Sequence, residues 1–524
     1  MMSCKQTSLT RPIILVILLT LLIGYGATTL ADVKLPSVIS DNMVIQRGSD
    51  FKIWGWAEPG ENITVSLSDQ GVVWGLVADE DGKWELTLKE PKPGGPYELV
   101  VEGDNRITVK NIIVGDVWFC SGQSNMQWSV NRANNPKQEI ATAHYPNIRL
   151  FSVTRDPSGQ PMNDCEGSWS QCSPKTVAGF SAVGYFFGRK LHTELNVPIG
   201  LINSSWGGTR VEPWTPPVGF DSVPKLGEIR EQIKQADQDF RKILDDYLDM
   251  ELVEQWLQLS RKALKSDGPL PPPPVLPKHP LDSHRLPAGL YNGMVHPIVP
   301  FGIKGAIWYQ GESNRGERMM YYEKKKALIN GWRKVWGRGD FPFYFVQLAP
   351  YRYGGDPVEL PMIWEAQTAT LAVPNTGMAI ITDIGNINDI HPKNKQEVGR
   401  RLALLALAKD YGRSDLVYSG PLYKSMAVEG NKIRISFDHV GSGLASGDGG
   451  PLSQFTISGA DPNFVEAQAE IDGDAVLVWS DQIAKPAAVR FGWHQEAEPN
   501  LTNKEGLPAS PFRTDDWLVP KLKK

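Results

Sequence analysis

Three short stretches carry the residue types that ester hydrolysis needs. The first is Gly122-Gln123-Ser124-Asn125-Met126, at the end of the apolar run Ile112-Ile113-Val114-Gly115-Asp116-Val117-Trp118-Phe119-Cys120. A serine between small and amide residues, just past a strand, can expose a nucleophilic hydroxyl, and nearby backbone N–H groups can receive negative charge. Met126 stands where Gly-x-Ser-x-Gly would have its second glycine, which argues against the strained elbow that motif builds. The second stretch is Ala306-Ile307-Trp308-Tyr309-Gln310-Gly311-Glu312-Ser313-Asn314, where an apolar strand again ends in glycine, a carboxylate and amides. The third is Thr382-Asp383-Ile384-Gly385-Asn386-Ile387-Asn388-Asp389-Ile390-His391-Pro392, which follows Met378-Ala379-Ile380-Ile381 and leads into a helical pattern from Lys395 to Lys409. Ligands of open α/β sheets bind beyond the carboxyl ends of the strands. Loops from those ends would bring a nucleophile, a base, an orienting acid and oxyanion donors to one place.

These stretches, with Ser205-Trp206-Gly207-Gly208-Thr209 and Leu290-Tyr291-Asn292-Gly293-Met294 between them, resemble the sialate O-acetylesterases in identity and order. That family belongs to the SGNH-type hydrolases, named for their Ser, Gly, Asn and His blocks. The resemblance covers roughly Asp32 to Lys409. It implies a carbohydrate O-acetylesterase, sialate 9-O-acetylesterase-like, that works through an acyl-enzyme and without a cofactor, and the N-terminal segment read below makes it secreted or periplasmic. Its partner would be an acetylated carbohydrate. A xylan or other polysaccharide acetylesterase, an esterase of non-carbohydrate substrates and a non-catalytic glycan-binding protein on the same fold are the alternatives.

Ser124 is the expected nucleophile and His391 the base that takes its proton and returns it to the leaving alcohol. Many SGNH hydrolases carry Asp three residues before the histidine; here that position is Asn388 and Asp389 lies two before. Asp389 is the expected acid, with Asp383 or a neutral carbonyl as alternatives. The oxyanion hole is expected from the backbone N–H of Ser124 and one from Gly208 or Gly207, since paired glycines allow close backbone approach. The resemblance suggests Gln310 as a third donor, in the place of an asparagine, with Asn314 as its rival. Gln123 and Glu312 are expected to support the loops. Trp206, Tyr291 and Asn292 are expected to line the substrate cleft. Ser205 and Ser313 are weaker nucleophile candidates, and His296, in the apolar segment Val295 to Val299, reads as structural.

Positioning these residues requires a parallel sheet covered by helices. Strand-like runs at Ile199–Asn203, Ile303–Tyr309 and Phe343–Leu348 alternate with helix patterns at Phe180–Leu195 and Met319–Trp336. The expected fold over 111–410 is therefore α/β, a parallel sheet flanked by helices, which the resemblance implies is SGNH-hydrolase-like, with accessory β-sandwich regions at both ends. Residues 32–110 alternate strand-like runs with turn residues, and Asp81-Gly82 predicts a hairpin between Trp74-Gly75-Leu76-Val77 and Lys83-Trp84-Glu85-Leu86. Residues 411–524 are β-like again, as a second sandwich or a completion of the first. An insertion over 221–288 combines helical spacing from Pro224 to Lys265 with a Pro-rich linker. It is expected to pack on the domain, with contact at the rim of the site.

At 524 residues the chain is longer than one ordinary domain, and its 41% hydrophobic and 22% charged residues are those of a globular protein. Residues 1–31 read as a secretion signal: Lys5 and Arg11, an apolar run from Pro12 to Ile23, and Thr29-Leu30-Ala31 as cleavage site. The run is short for a membrane span, so no stable membrane insertion is expected after cleavage. Losing Lys5 and Arg11 takes the formal charge from −5 to −7. No basic patch remains for nucleic acid. Cys165 and Cys172 are spaced either to bridge a surface loop or to stay reduced, and Cys120 reads as a buried hydrophobe. No metal-ligand spacing is present.

Overall fold

The computed structural model describes residues 32–68, 70–249 and 251–517. The expected signal, residues 1–31, lies outside the described residues. The N-terminal strands are β1 (Val44–Gln46), β2 (Phe51–Trp56), β3 (Asn62–Leu67), β4 (Val73–Val77), β5 (Lys83–Leu88) and β6 (Gly94–Glu102). They lead into β7 (Arg106–Gly122), a 17-residue strand. The first part of β7 pairs with β6 and β1, and its last part pairs with the central sheet. One strand thus runs from the N-terminal β region to the Ser124 loop. Asp116 clamps the crossover: it accepts two bonds from Arg47, at 2.9 and 2.8 Å, and one each from Gln46 and Tyr411.

The central sheet adds β8 (Tyr145–Ser152), β9 (Trp169–Cys172), β10 (Ile199–Ser205), β11 (Gly305–Tyr309), β12 (Phe343–Val346) and β13 (Thr376–Ala379). Its order is β13-β12-β11-β7-β10-β8-β9, with every pairing parallel except β8–β9. All residues of β11, β12 and β13 are buried, as expected for strands covered on both faces. The order grows to one side of β7 through β10 and to the other through β11. That makes the carboxyl end of β7 the topological switch point, where such sheets bind ligands.

The longer helices are α1 (Ala182–Leu195), α2 (Gly227–Asp249), α3 (Leu252–Lys265), α4 (Met320–Trp336), α5 (Glu359–Ala369) and α6 (Lys395–Asp410). Ser181 caps α1 by accepting from Gly184 N–H, and Asn394 caps α6 by accepting from Glu397 N–H. Helix α4 ends where Gly337 takes φ 63°. The fold is thus the expected α/β sheet flanked by helices.

The predicted hairpin across Asp81-Gly82 does not form. β4 pairs with β3, while β5 pairs with β2. The turn is tight, with Asp79 Oδ1 accepting from the N–H of both Asp81 and Lys83, but it carries the chain from one sheet to the next. Packing explains the choice. Trp84 lies over Gly55 of β2, where a Cβ would come within 2.7 Å of the indole.

Residues beyond α6 form their own antiparallel sheets around a separate core that includes Ile433, Ile435, Val476, Val478 and Phe491. Where the insertion meets the domain, Phe220, Val223, Leu226 and Ile233 form one cluster with Leu281, Ala288 and Ala327 of α4. Cys120, Cys165 and Cys172 are free thiols, so the disulfide alternative is not realised. Burial pushes Cys165 and Cys172 up to about 12, and Cys120 higher still. No helix among the described residues is long and apolar enough to cross a membrane.

Candidate active site

The carboxyl end of β7 is stitched to both neighbours. Trp206 N–H donates to Gly122 O on one side, and Gln123 N–H donates to Tyr309 O on the other. Gly122 has φ 140°, and a Cβ there would lie 2.2 Å from the Tyr309 carbonyl oxygen. Only glycine fits at this strand exit. Gln123 is buried and its Oε1 accepts from Gly311 and Ser313 N–H, at 3.4 Å each. It ties the serine loop to the loop after β11.

Ser124 opens one helical turn, Ser124–Gln127, and remains half-exposed. Gly207 lies against it: a Cβ on Gly207 would come within 3.2 Å of Ser124 Cβ. The Gly207 N–H is engaged by Gln127 Oε1 at 2.8 Å. Gly208, at φ 76° and exposed, has no hydrogen bond on its N–H among the described residues, and the same holds for the Ser124 N–H. Of the two glycines, Gly208 is therefore the one with a donor to offer an oxyanion.

His391 is half-buried at the end of its loop. Its backbone N–H donates to Asp389 Oδ1 at 3.0 Å, whereas the ring Nδ1 stands 3.9 Å from the same oxygen. Asp389 thus holds the loop by a hydrogen bond and faces the imidazole only as a charge. Asp383 points elsewhere, in two 2.6 Å bonds to Arg401. The wall behind the imidazole is Trp128, stacked at 4.7 Å and 16°, and the Arg132 guanidinium lies 3.7 Å over the same indole. Burial holds His391 below the ordinary histidine value; Lys395 and Arg132 add to this, and Asp389 opposes it.

Gln310 is fully buried, and its amide donates to Asn314 Oδ1 at 2.6 Å and Thr209 O at 3.3 Å. Tyr321 donates to its Oε1 at 3.0 Å. Asn314 donates in turn to Glu212 and Glu317, which also bind Lys324 and Arg210. Neither amide keeps a donor for an oxyanion: Gln310 gives both to Asn314 and Thr209, and Asn314 gives both to Glu212 and Glu317. Their observed work is to hold the Gly207-Gly208 loop against the loop after β11.

Asn292 is buried and donates to Ser158 O, so it braces a loop from below. Tyr291 is buried beside His296, which bonds Met162 O. Trp206 stays half-exposed, stacked on His284 at 4.7 Å and 10° with Arg155 5.6 Å from its ring. His284 belongs to the insertion, so the insertion reaches Trp206. Ser205 Oγ is bonded to Asn203. Glu312 donates nothing and accepts from Asn125 Nδ2 at 2.6 Å. Sequence reasoning did not single out Trp128, Arg132, Gln127, His284 or Lys395. Trp128 lies four residues beyond Ser124, a spacing that hints at a shared turn; the Pro-rich context of His284 gives no such hint. No group of three or more His, Cys, Asp or Glu among the described residues could hold a metal ion.

A family model for carbohydrate esterases, described as sialic acid-specific acetylesterase, matches residues 114–244 and 285–408. Sialate O-acetylesterase of Rattus norvegicus is 32% identical over 432 residues, covering 75% of this chain and 76% of its own. The Homo sapiens enzyme is 31% identical over 440 residues, covering 76% and 75%. The chain belongs to the sialate O-acetylesterase family. A crystal structure of a carbohydrate acetylesterase from Xanthomonas citri is similar throughout, with TM-score 0.78 and 38% identity over 93% of this chain and all of that one. Family membership makes this chain a carboxylic ester hydrolase, a carbohydrate acetylesterase of the sialate O-acetylesterase kind. The family match breaks off between 244 and 285, across the end of α2, all of α3 and the Pro-rich stretch. His284, which stacks on Trp206, lies at the edge of that break.

Proposed function

We propose that this chain is an exported serine acetylesterase that removes O-acetyl groups from sugars, with 9-O-acetylated sialic acid as its model substrate. Ser124 Oγ attacks the acetyl carbonyl, and His391 takes the hydroxyl proton. The N–H groups of Ser124 and Gly208 receive the charge on the tetrahedral oxygen. The C–O bond to the sugar breaks as His391 returns the proton to the leaving alcohol. His391 then takes a proton from water, the water oxygen bonds the acyl carbon, and the acyl C–Oγ bond breaks as His391 returns that proton to Ser124 Oγ and acetate leaves. Asp389 stabilises the imidazolium through space rather than through a hydrogen bond. The observation that carries this reading is the unengaged N–H of Ser124 at the switch point, with Gly207 against it and the unengaged Gly208 N–H next in the chain, on a serine loop that Asn125 fastens to the histidine loop. Removal of residues 1–31 on export completes the reading.

The test is acetate release from 9-O-acetylated sialic acid by the mature protein, beside Ser124→Ala and His391→Ala. Both variants are expected to fold and to lose activity by about 10³-fold or more. Wild-type activity in Ser124→Ala would remove the nucleophile assignment. Turnover of acetylated xylan but not of the sialate would keep the mechanism and change the substrate.

A further inference from the structure

Asn125, the residue after Ser124, is 1% exposed, and both ends of its amide are engaged. Its Nδ2 donates to Glu312 Oε1 at 2.6 Å and to the carbonyl of Ile390 at 3.0 Å. Its Oδ1 accepts from Lys395 Nζ at 2.6 Å. The amide fits in one orientation only: flipped, it would set its oxygen against two acceptors and its NH₂ against an ammonium. One side chain thus joins the serine loop, the loop after β11 and the residue preceding His391.

The two ends of this strut are both ionisable and both poorly solvated. Lys395 is fully buried, with Asn125 Oδ1 as its hydrogen-bond acceptor and the Tyr309 ring 5.1 Å away. The Glu312 carboxyl is buried too, and its Oε2 has no partner. An isolated charge in such a place is costly, so each end depends on the other across Asn125. Burial draws Lys395 down to about 7 against the pull of Glu312 and Asp389, and draws Glu312 upward. Lys395 follows His391 by four residues, at the first turn of α6. The charges that act on the imidazole are Lys395 and Arg132 on one side and Asp389 on the other.

We propose that Lys395 is a positioning residue of this site: its ammonium locks the Ser124 and His391 loops together through Asn125 and stands, four residues along the chain from His391, as a like charge to a protonated imidazole. The proposal rests on the Ser124–His391 reading but concerns a different relationship. A site that lacked Lys395 would keep its nucleophile and lose both the register of the loops and the electrostatic bias on the base. Glu312 is the counter-charge that lets the ammonium persist out of water.

The test is an NMR titration of the His391 ring in the Ser124→Ala protein, with and without Lys395→Met, together with the pH profile of kcat/KM in the Ser124 background. The wild-type ring is expected to titrate below the ordinary value of about 6.5. Lys395→Met should move it upward by about half a unit or more, shift the acid limb of kcat/KM the same way, and lower kcat more than it raises KM. A purely structural lysine would cost activity and thermal stability without moving the titration, and that result would overturn the proposal. So would a wild-type ring that titrates at or above 6.5. Should the Met variant not fold, Lys395→Gln keeps a neutral donor toward Asn125 and carries the same comparison. If Ser124→Ala proves fully active, the nucleophile reading fails while the His391 titration still reports on Lys395.

Discussion

The imidazole of His391 lies face to face with the indole of Trp128, centroids 4.7 Å apart and planes 16° apart. A proton-transferring histidine needs its ring held in one plane. In the proposed mechanism that plane comes from stacking, since Asp389 is 3.9 Å from Nδ1 and hydrogen-bonds the backbone instead. Ring pairs of this kind are worth about 0.5–1.5 kcal/mol beyond area burial. Trp128→Leu keeps an apolar wall and removes the flat face. Its kcat is expected to fall about tenfold with KM for 4-nitrophenyl acetate little changed. An unchanged kcat would show that the stack does not orient the base.

Asp389→Asn separates the charge of the carboxylate from its backbone bond, since the amide oxygen can still accept from His391 N–H. Loss of the negative charge lowers the His391 titration further, so the acid limb of kcat/KM should move to lower pH. The plateau should fall by about ten- to a hundredfold, short of the roughly 10⁴-fold loss seen where an aspartate hydrogen-bonds the imidazole. A full 10⁴-fold loss would mean that Asp389 swings into hydrogen-bond range during turnover. Lys395→Met shifts the same limb upward, so the two variants give opposite signs.

What the sequence disclosed follows from periodicity and adjacency. The runs that became β10, β11 and β12, and the patterns that became α1, α4 and α6, were legible because each buries a face with a regular period. Strand pairing was not: Asp81-Gly82 marks a turn correctly, but whether β5 joins β4 or β2 is decided by the fit of Trp84 over Gly55, a contact between residues far apart in the chain. At the site the loops were legible and the donors were not. Gln310 has the right type and place for an oxyanion donor. What engages it is Asn314, and behind that a cluster assembled from positions 210, 212, 317 and 324. Lys395 is an ordinary helical lysine in sequence; only the packing of three loops buries it.

Gln310→Ala is expected to act on stability before chemistry. The side chain is fully buried and joins Thr209, Asn314 and Tyr321, so its removal leaves several polar groups unpaired. The cost is about 2–4 kcal/mol, read as a lower midpoint in urea unfolding. A variant of wild-type stability with kcat lowered by 10²–10³-fold would instead identify Gln310 as an oxyanion donor.

His284→Ala removes the ring that covers Trp206 at the rim. Because the insertion contributes this contact and the proposed reacting groups, Ser124 and His391, are on other loops, KM for acetylated sugars should rise severalfold while kcat/KM for 4-nitrophenyl acetate stays near wild type. Equal losses on both substrates would place His284 among the groups that support the reacting loops.

The two adjacent glycines give the sharpest contrast. Gly208 has φ 76° and open space where a Cβ would go, so Gly208→Ala costs only backbone strain, about 1 kcal/mol, and leaves Ser124 untouched. Gly207 has ordinary φ, yet its Cβ would stand 3.1 Å from Gln127 Oε1 and 3.2 Å from Ser124 Cβ. Gly207→Ala must therefore push either the Gln127 hydrogen bond or the serine itself. A displacement of a few tenths of an ångström at a reacting hydroxyl is enough to cost about tenfold or more in kcat. Thermal unfolding should rank Gly208→Ala as the less stable variant or the two as equal, while steady-state kinetics should rank Gly207→Ala as the less active. The opposite kinetic order would mean that the strained Gly208 peptide, through the aim of its N–H at the oxyanion, is the tighter constraint on the reaction.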